Sequence, residues 1–460
     1  MTDIVKLISP IDGSVYAERP IAADADIARF VTRARGAQAE WRRTPIATRN
    51  AYMAKFLEAL TSLNDVIVPE LAWQMGRPVR FGGENGGVIE RAEYMMSIAE
   101  SALAPIERTD KPGFRRYITH EALGIVLVVA PWNYPYLTAV NTIIPALIAG
   151  NAVILKHASQ TLLAGERFAE AFAMAGLPEG LFQNVVLSHG QTEALIGSGK
   201  IDHINFTGSV EGGRRIERAA AGTFATLGLE LGGKDPAYVR ADANLDFSIE
   251  SIVDGAFYNA GQCCCGIERI YAHEDVYDQV VEGVVELTKK YVVGNPLDEA
   301  TTMGPMAQSR FADAIREQKE EALRKGAKAN INMQLANDKQ GSPYLAPEVL
   351  TNVNHQMSVM REESFGPVVG IMKVKDDAEA IQLMNDSPYG LTASIWTMDT
   401  DKAAEIGDQV ETGTVFMNRC DYLDPALVWT GVKDTGKGAG LSEIGFSNLT
   451  RPKSFHLREI

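Results

Sequence analysis

Between residues 123 and 222, short apolar runs alternate with longer stretches of helical spacing, and this alternation constrains the fold more than any other feature. "LGIVLVVA" (123–130) reads as a strand buried on both faces. "NAVILK" (151–156), "NVVL" (184–187) and "HINF" (203–206) read as further strands. Between them, "TAVNTIIPALIAG" (138–150) predicts a helix stopped by Gly150, and "TLLAGERFAEAFAMAG" (161–176) one that ends at Gly176. "SVEGGRRIERAAAG" (209–222) predicts another. Strand–helix–strand units of this kind build a parallel sheet with helices on its faces and ligands at the strand C-termini. The expected class is α/β. Residues 24–40, 47–63 and 88–103 carry helical spacing ahead of this region, and a second alternating region runs from "ELGGKDPAYV" (230–239) to about 434. The tail "SNLTRPKSFHLREI" (447–460) alternates and carries Pro452, so it predicts an extended edge element.

A chain of 460 residues predicts two or three domains. The net charge of −15 argues against a nucleic-acid surface, which needs clustered Lys and Arg. The longest apolar run, "LGIVLVVAPW", is too short to span a bilayer, and the N-terminus lacks the basic and apolar regions of a signal peptide. Three of the four cysteines stand together as Cys263, Cys264 and Cys265 in "NAGQCCCGIER". That is no secreted disulfide framework, so a reduced, cytoplasmic setting is expected. Adjacent side chains are expected to diverge, which argues against a metal site; the competing bland reading is small buried core residues. "GVKDTGKG" (431–438) nearly matches a phosphate loop, but Gly438 stands where a magnesium-binding hydroxyl is needed. The fingerprint G-x-G-x-x-G is absent, and "TGS" (207–209) is a weak anion-site signal.

"PWNYP" (131–135), "FTGS" (206–209), "LELGGKDP" (229–236), "FYNAGQCCC" (257–265), "EESFGPV" (362–368) and "NDSPYGL" (385–391) occur in this order. Together they resemble the NAD(P)-dependent aldehyde dehydrogenase superfamily, over about residues 10–460. The resemblance implies a Rossmann-like cofactor domain (1–103 and 124–231), an α/β catalytic domain (232–445) and a small β oligomerisation segment (104–123 with 446–460). A homodimer or homotetramer and a small-molecule aldehyde substrate would follow. In the family motif F-x3-G-[QE]-x-C, counted from Phe257, Cys264 falls on the nucleophile, and Cys263 and Cys265 become packing neighbours. A thiolate suits attack on a carbonyl because it is soft and strongly nucleophilic near neutral pH. Asn133 then fits an oxyanion donor. Glu230, in the apolar and glycine-rich "LGLELGG", fits the base that activates water, with a pKa raised by burial. The cofactor, NAD or NADP, would meet Trp132, Lys156, Ser159, Gly208, Ser209, Glu363 and Phe365.

The chain also departs from the family pattern. "KPxE" becomes "KHAS", so Ser159 replaces the acid that bonds the adenosine ribose of NAD, and His157 replaces proline. NADP is therefore expected to be accepted at least as well as NAD, with His157, Arg214 and Arg215 as further cations within reach. "PFGGxK" becomes "VWTGVK", and Asn141 and Thr142 follow "PWNYP" where relatives carry Trp or Arg and then Lys. Tyr134, Tyr136, Tyr258 and Trp429 suggest an aromatic funnel, and Asn141 supplies no cation, which favours a neutral aldehyde. Two other readings compete: a CoA-acylating semialdehyde dehydrogenase, and a binding protein that kept the fold but lost the chemistry. Glu230 argues against the first, and the joint presence of Cys264, Asn133 and Glu230 against the second.

Overall fold

The computed structural model describes residues 3–460. Among them, two large sheets repeat one design. The first has the order Gly436–Lys437, Thr226–Glu230, His203–Thr207, Ile125–Val129, Ala152–Lys156, Phe182–Asn184. Its strands are parallel except for the edge pair of Gly436–Lys437 with Thr226–Glu230. The second has the order Lys328–Ala329, Glu348–Thr351, Val368–Val374, Ile267–His273, Asp235–Val239, Thr392–Trp396, Thr414–Met417. It too is parallel apart from one edge strand.

Burial explains why the apolar runs become central strands. Every residue of Ile125–Val129 and of Ala152–Lys156 is buried. Each Val, Leu or Ile taken fully out of water contributes roughly 1.5–3 kcal/mol. The helix Leu137–Ala149 covers this sheet and stops at Gly150, whose φ of +96° disfavours any residue with a Cβ. The helices Asp24–Trp41, Ile46–Ser62 and Asn85–Ala102 follow the predicted spacing.

The structure differs from the sequence reading in two elements. The strand expected at 184–187 is Phe182–Asn184. After Val185 donates to Leu155, the Val186 carbonyl turns away and accepts from the Ala22 amide, so the ladder ends. The helix Asn64–Met75 has no counterpart in the reading; its β-branched residues and Pro69 obscure the helical pattern. The near-match "GVKDTGKG" contains two short strands, Val432–Lys433 and Gly436–Lys437, rather than a loop feeding a helix.

A third sheet pairs the tail strand Thr450–Arg458 antiparallel with Phe114–Ala122, from Thr450 opposite Ala122 to Arg458 opposite Phe114. Ile106–Arg108 lies on its other side. Pro452 is tolerated because its strand is an edge.

Candidate active site

The helix Leu245–Phe257 is followed by a kinked stretch in which Asn259, Ala260 and Gly261 have φ of +53°, +56° and +69°. The chain then turns through the three cysteines, closed by Gly266 N–H donating to the Cys263 carbonyl at 3.2 Å. Cys263 and Cys265 are buried and Cys264 is half-buried. Cys264 is lowered to about 6, chiefly through its interaction with the Cys263 thiol and then with that of Cys265. The same coupling pushes Cys263 up to about 12.

The expectation that the cysteine side chains diverge is overturned. The three sulfurs lie within 4.8 Å of one another, because a tight turn fans successive side chains to one side where an extended strand alternates them. Cys263 and Cys265 sulfurs are 3.7 Å apart. Both thiols donate to Asp421 Oδ1, at 2.7 and 3.2 Å. Asp421 itself is raised well above the usual carboxylate range, first by burial.

Glu230 ends a strand of the first sheet, where its carbonyl accepts from Gly208 N–H at 3.0 Å. Burial raises its carboxyl to about 7, while Asn205, the charge of Arg91 and Thr207 pull the other way. A cavity of about 10 Å³, the size of one water, lies against it, lined also by Asn205, Leu391, Trp429 and Thr435. Gly232 and Gly233 follow. A Cβ on Gly233 would stand 2.5 Å from the Cys264 carbonyl oxygen, and one on Gly232 would stand 2.5 Å from Glu363 Oε2. Two missing side chains thus let the base strand, the cysteine turn and the Glu363 loop close on each other.

Asn133 is buried, and its Nδ2 donates to the Gln262 carbonyl at 3.2 Å, which ties it to the cysteine turn and leaves its second amide hydrogen uncommitted. Arg77 fixes this corner. It donates to the Asn133 carbonyl at 2.8 Å and pairs with buried Glu84 at 2.6 Å. Glu84 in turn accepts from the amides of Tyr136 and Leu137.

The residues expected around a cofactor fall into two groups. Trp132 and Phe365 meet edge to face at 5.6 Å, with Trp132 also stacked on Phe311 at 5.2 Å. Glu363 accepts from Gly233 N–H at 2.9 Å and is raised to about 8, first by burial and then by Glu268. Lys156 ends its strand buried, with no ion-pair or hydrogen-bond partner for its ammonium among the described residues, and burial lowers it to about 8. Ser159 is exposed on a short turn. Ser209 caps the helix Val210–Ala220, accepting from Gly212 N–H at 3.2 Å.

The further cations expected near Lys156 are otherwise engaged. His157 is buried between the Pro135 carbonyl and Thr161, and burial lowers it to about 4, so it is neutral. Arg214 pairs with Asp434 at 3.1 Å and Arg215 with Glu193 at 2.5 Å. Tyr136 is 1% exposed and packs on Phe168, so it belongs to the core and not to a funnel. Asn141 does have a cation beside it: Arg91, from the helix Asn85–Ala102, donates to its Oδ1 at 3.2 Å. Sequence reasoning missed Arg91 and Asp421, which lie far from the motifs in the chain, and the Lys234–Glu268 pair at 2.6 Å, whose charges lie in and beside the motifs but read as ordinary surface charges.

A buried ammonium with no partner among the described residues, a buried carboxyl on Glu363 and an edge-to-face aromatic pair suit a dinucleotide with ribose hydroxyls and a flat ring, so these residues fit such a group. Comparison with known proteins agrees. The family model described as the aldehyde dehydrogenase family matches residues 2–455. An aldehyde dehydrogenase of Paenarthrobacter nicotinovorans is 32% identical, covering 98% of this chain and 99% of its own. A vanillin dehydrogenase of Corynebacterium glutamicum is 34% identical, covering 94% and 89%. The structure of a succinic semialdehyde dehydrogenase from Streptococcus pyogenes, in complex with NADP+, superposes with a TM-score of 0.93 at 26% identity, covering 99% of this chain and 100% of that one. The chain belongs to the aldehyde dehydrogenase family and is an NAD(P)-dependent oxidoreductase that acts on aldehydes.

Proposed function

We propose that Cys264 is the nucleophile, Asn133 the oxyanion donor and Glu230 the base, in oxidation of an aldehyde to its acid. The observation that carries this reading is a thiol lowered to about 6 and a carboxyl raised to about 7 on two strand-end loops that touch through Gly233. The Cys264 thiolate attacks the carbonyl carbon and forms a thiohemiacetal, whose oxygen the free amide hydrogen of Asn133 stabilises. Bound nicotinamide supplies the acceptor for the hydride that leaves this carbon. Glu230, ionised above pH 7, then takes a proton from the water that attacks the resulting thioester. The acid departs, and Cys264 is released as thiolate. The presence of Glu230 as a buried carboxyl raised to about 7 favours hydrolysis over transfer to a thiol such as CoA, which needs no base for water.

Lys156 would bond the adenosine ribose, Ser159 would face it, and Gly208 and Ser209 with their helix N-terminus would meet the pyrophosphate. Glu363 would hold the nicotinamide ribose, with Trp132 and Phe365 lining that end. NADP is the cofactor we expect to be used at least as well as NAD, because Ser159 offers no charge to repel a 2′-phosphate and Lys156, without a partner among the described residues, can meet one. The three-part division at 1–103 with 124–231, 232–445, and 104–123 with 446–460 is proposed too, with the exposed edge strand Thr450–Arg458 joining chains into a dimer or tetramer in the cytoplasm. An aldehyde panel with each cofactor, following reduced nucleotide and acid product, tests this reading. Reduction without acid formation would contradict it.

A further inference from the structure

We propose that Cys263, Cys264, Cys265 and Asp421 form a site for a thiophilic divalent cation of the zinc and cadmium class, and that its occupation reversibly switches the enzyme off. The inhibition, though not the binding, rests on Cys264 being the nucleophile. Three sulfurs within 4.8 Å of one another supply the soft donors, and a carboxylate oxygen 2.7 and 3.2 Å from two of them, those of Cys263 and Cys265, stands ready as a fourth ligand on their side of the cluster. Zinc–sulfur bonds of about 2.3 Å set tetrahedral sulfurs about 3.8 Å apart. Cys263 and Cys265 already stand at 3.7 Å. Cys264, up to 4.8 Å from the other two sulfurs, must swing in by up to about 1 Å, and the carboxylate must shift off the two thiols it now contacts. The chain that holds Asp421 is separate in sequence from the cysteine turn, so the site closes between two elements.

The chemistry suits such an ion. Three thiolates are soft donors that select d10 cations over magnesium or calcium. Each thiol that becomes a ligand releases one proton to solvent; no electron is transferred, and no other reactant is needed. Arg91, which has no carboxylate partner among the described residues, lies within electrostatic reach of Cys264 and Cys265 and offsets the negative charge gathered there. Half-buried Cys264 gives the ion its way in. Once bound, the ion holds the Cys264 electron pair that would attack the aldehyde, so occupation and turnover exclude each other.

The test titrates purified enzyme with cadmium, read by the ultraviolet thiolate-to-metal charge-transfer band, and with zinc, read by turnover. The wild type should take up one cadmium ion per chain with that band, lose turnover with zinc, and regain it on adding a chelator. Cys265→Ser and Asp421→Asn should weaken both effects by more than the roughly 10- to 100-fold that loss of a supporting contact costs. Cys420→Ser, outside the cluster, should change neither. If Asp421→Asn fails to fold, Cys265→Ser carries the comparison. Wild-type metal sensitivity in Cys265→Ser, absence of the band, or binding with full activity each overturns the proposal. Because the cadmium band is read without substrate, binding is judged apart from the nucleophile assignment, which Cys264→Ser turnover judges separately.

Discussion

The two ends of the proposed cofactor cleft are built differently. At the nicotinamide end almost every group is fixed by another. Glu363 is held by the Gly233 amide, and Glu268 accepts from the amides of Ser364 and Phe365 at 2.8 Å while pairing with Lys234. Trp132 is set between two phenyl rings, and Asn133 is anchored to the cysteine turn. At the adenosine end Lys156 has no partner among the described residues, Ser159 is exposed, and the neighbouring arginines are committed to surface carboxylates. The adenosine end has fewer side-chain commitments than the reacting end. The reacting end tolerates little displacement, since chemistry requires placement within a fraction of an ångström. The adenosine end contributes binding, and it is there that "KHAS" departs from the family pattern.

The sharpest way to break this contrast is at the turn. Cys264→Ser should abolish oxidation, a loss of roughly 10⁴-fold or more as for other lost nucleophiles. Cys263→Ser and Cys265→Ser, which keep a donor, should keep most activity, while Cys263→Ala, which removes one, should move the limb that Cys264 places near pH 6 upward. A dead Cys263→Ser beside an active Cys264→Ser would mean that the register is wrong. Next in size, Asn133→Ala should cost about 10²- to 10³-fold in kcat, the usual cost of an oxyanion donor, with cofactor affinity little changed.

A smaller effect is expected through Arg91. Its charge favours the ionised form of Glu230, so Arg91→Gln should raise the Glu230 pKa further above about 7. Water activation needs the carboxylate, so thioester hydrolysis should slow at pH 7 and recover as the pH rises. A pH profile of steady-state turnover reads this; an unchanged limb would separate Arg91 from the base. The smallest change in kcat should come from the adenosine end. Ser159→Glu should leave kcat near wild type but lower kcat/KM for NADP relative to NAD by roughly tenfold or more, through repulsion of the 2′-phosphate. A wild-type NADP value far below that for NAD, with the ratio unchanged in the variant, would show that Ser159 does not set the preference.

These differences also track what was legible in the sequence. The central strands and their helices were readable because burial on both faces leaves continuous apolar runs, as in Ile125–Val129. Phe182–Asn184 was misplaced because the apolar run continues after the ladder has ended, and hydrophobicity alone does not report hydrogen bonding. Glu230, Asn133, Trp132 and Phe365 were named from motifs, and these residues lie where three loops converge. The convergence of the three sulfurs was not legible, because three adjacent cysteines read alike on a strand or on the turn from Cys263 to Gly266 that fans them to one side. Arg91 and Asp421 were missed for a related reason: their partners are remote in the chain, and only tertiary packing brings them to the cysteines.

The central claim is that two groups divide the work, Cys264 forming the thioester and Glu230 releasing it. Rapid mixing of Glu230→Gln with aldehyde and cofactor tests this most directly. The account predicts a burst of reduced cofactor of about one equivalent per active chain, followed by turnover slowed by roughly 10²-fold or more. Loss of the burst itself, with cofactor still bound, would contradict it.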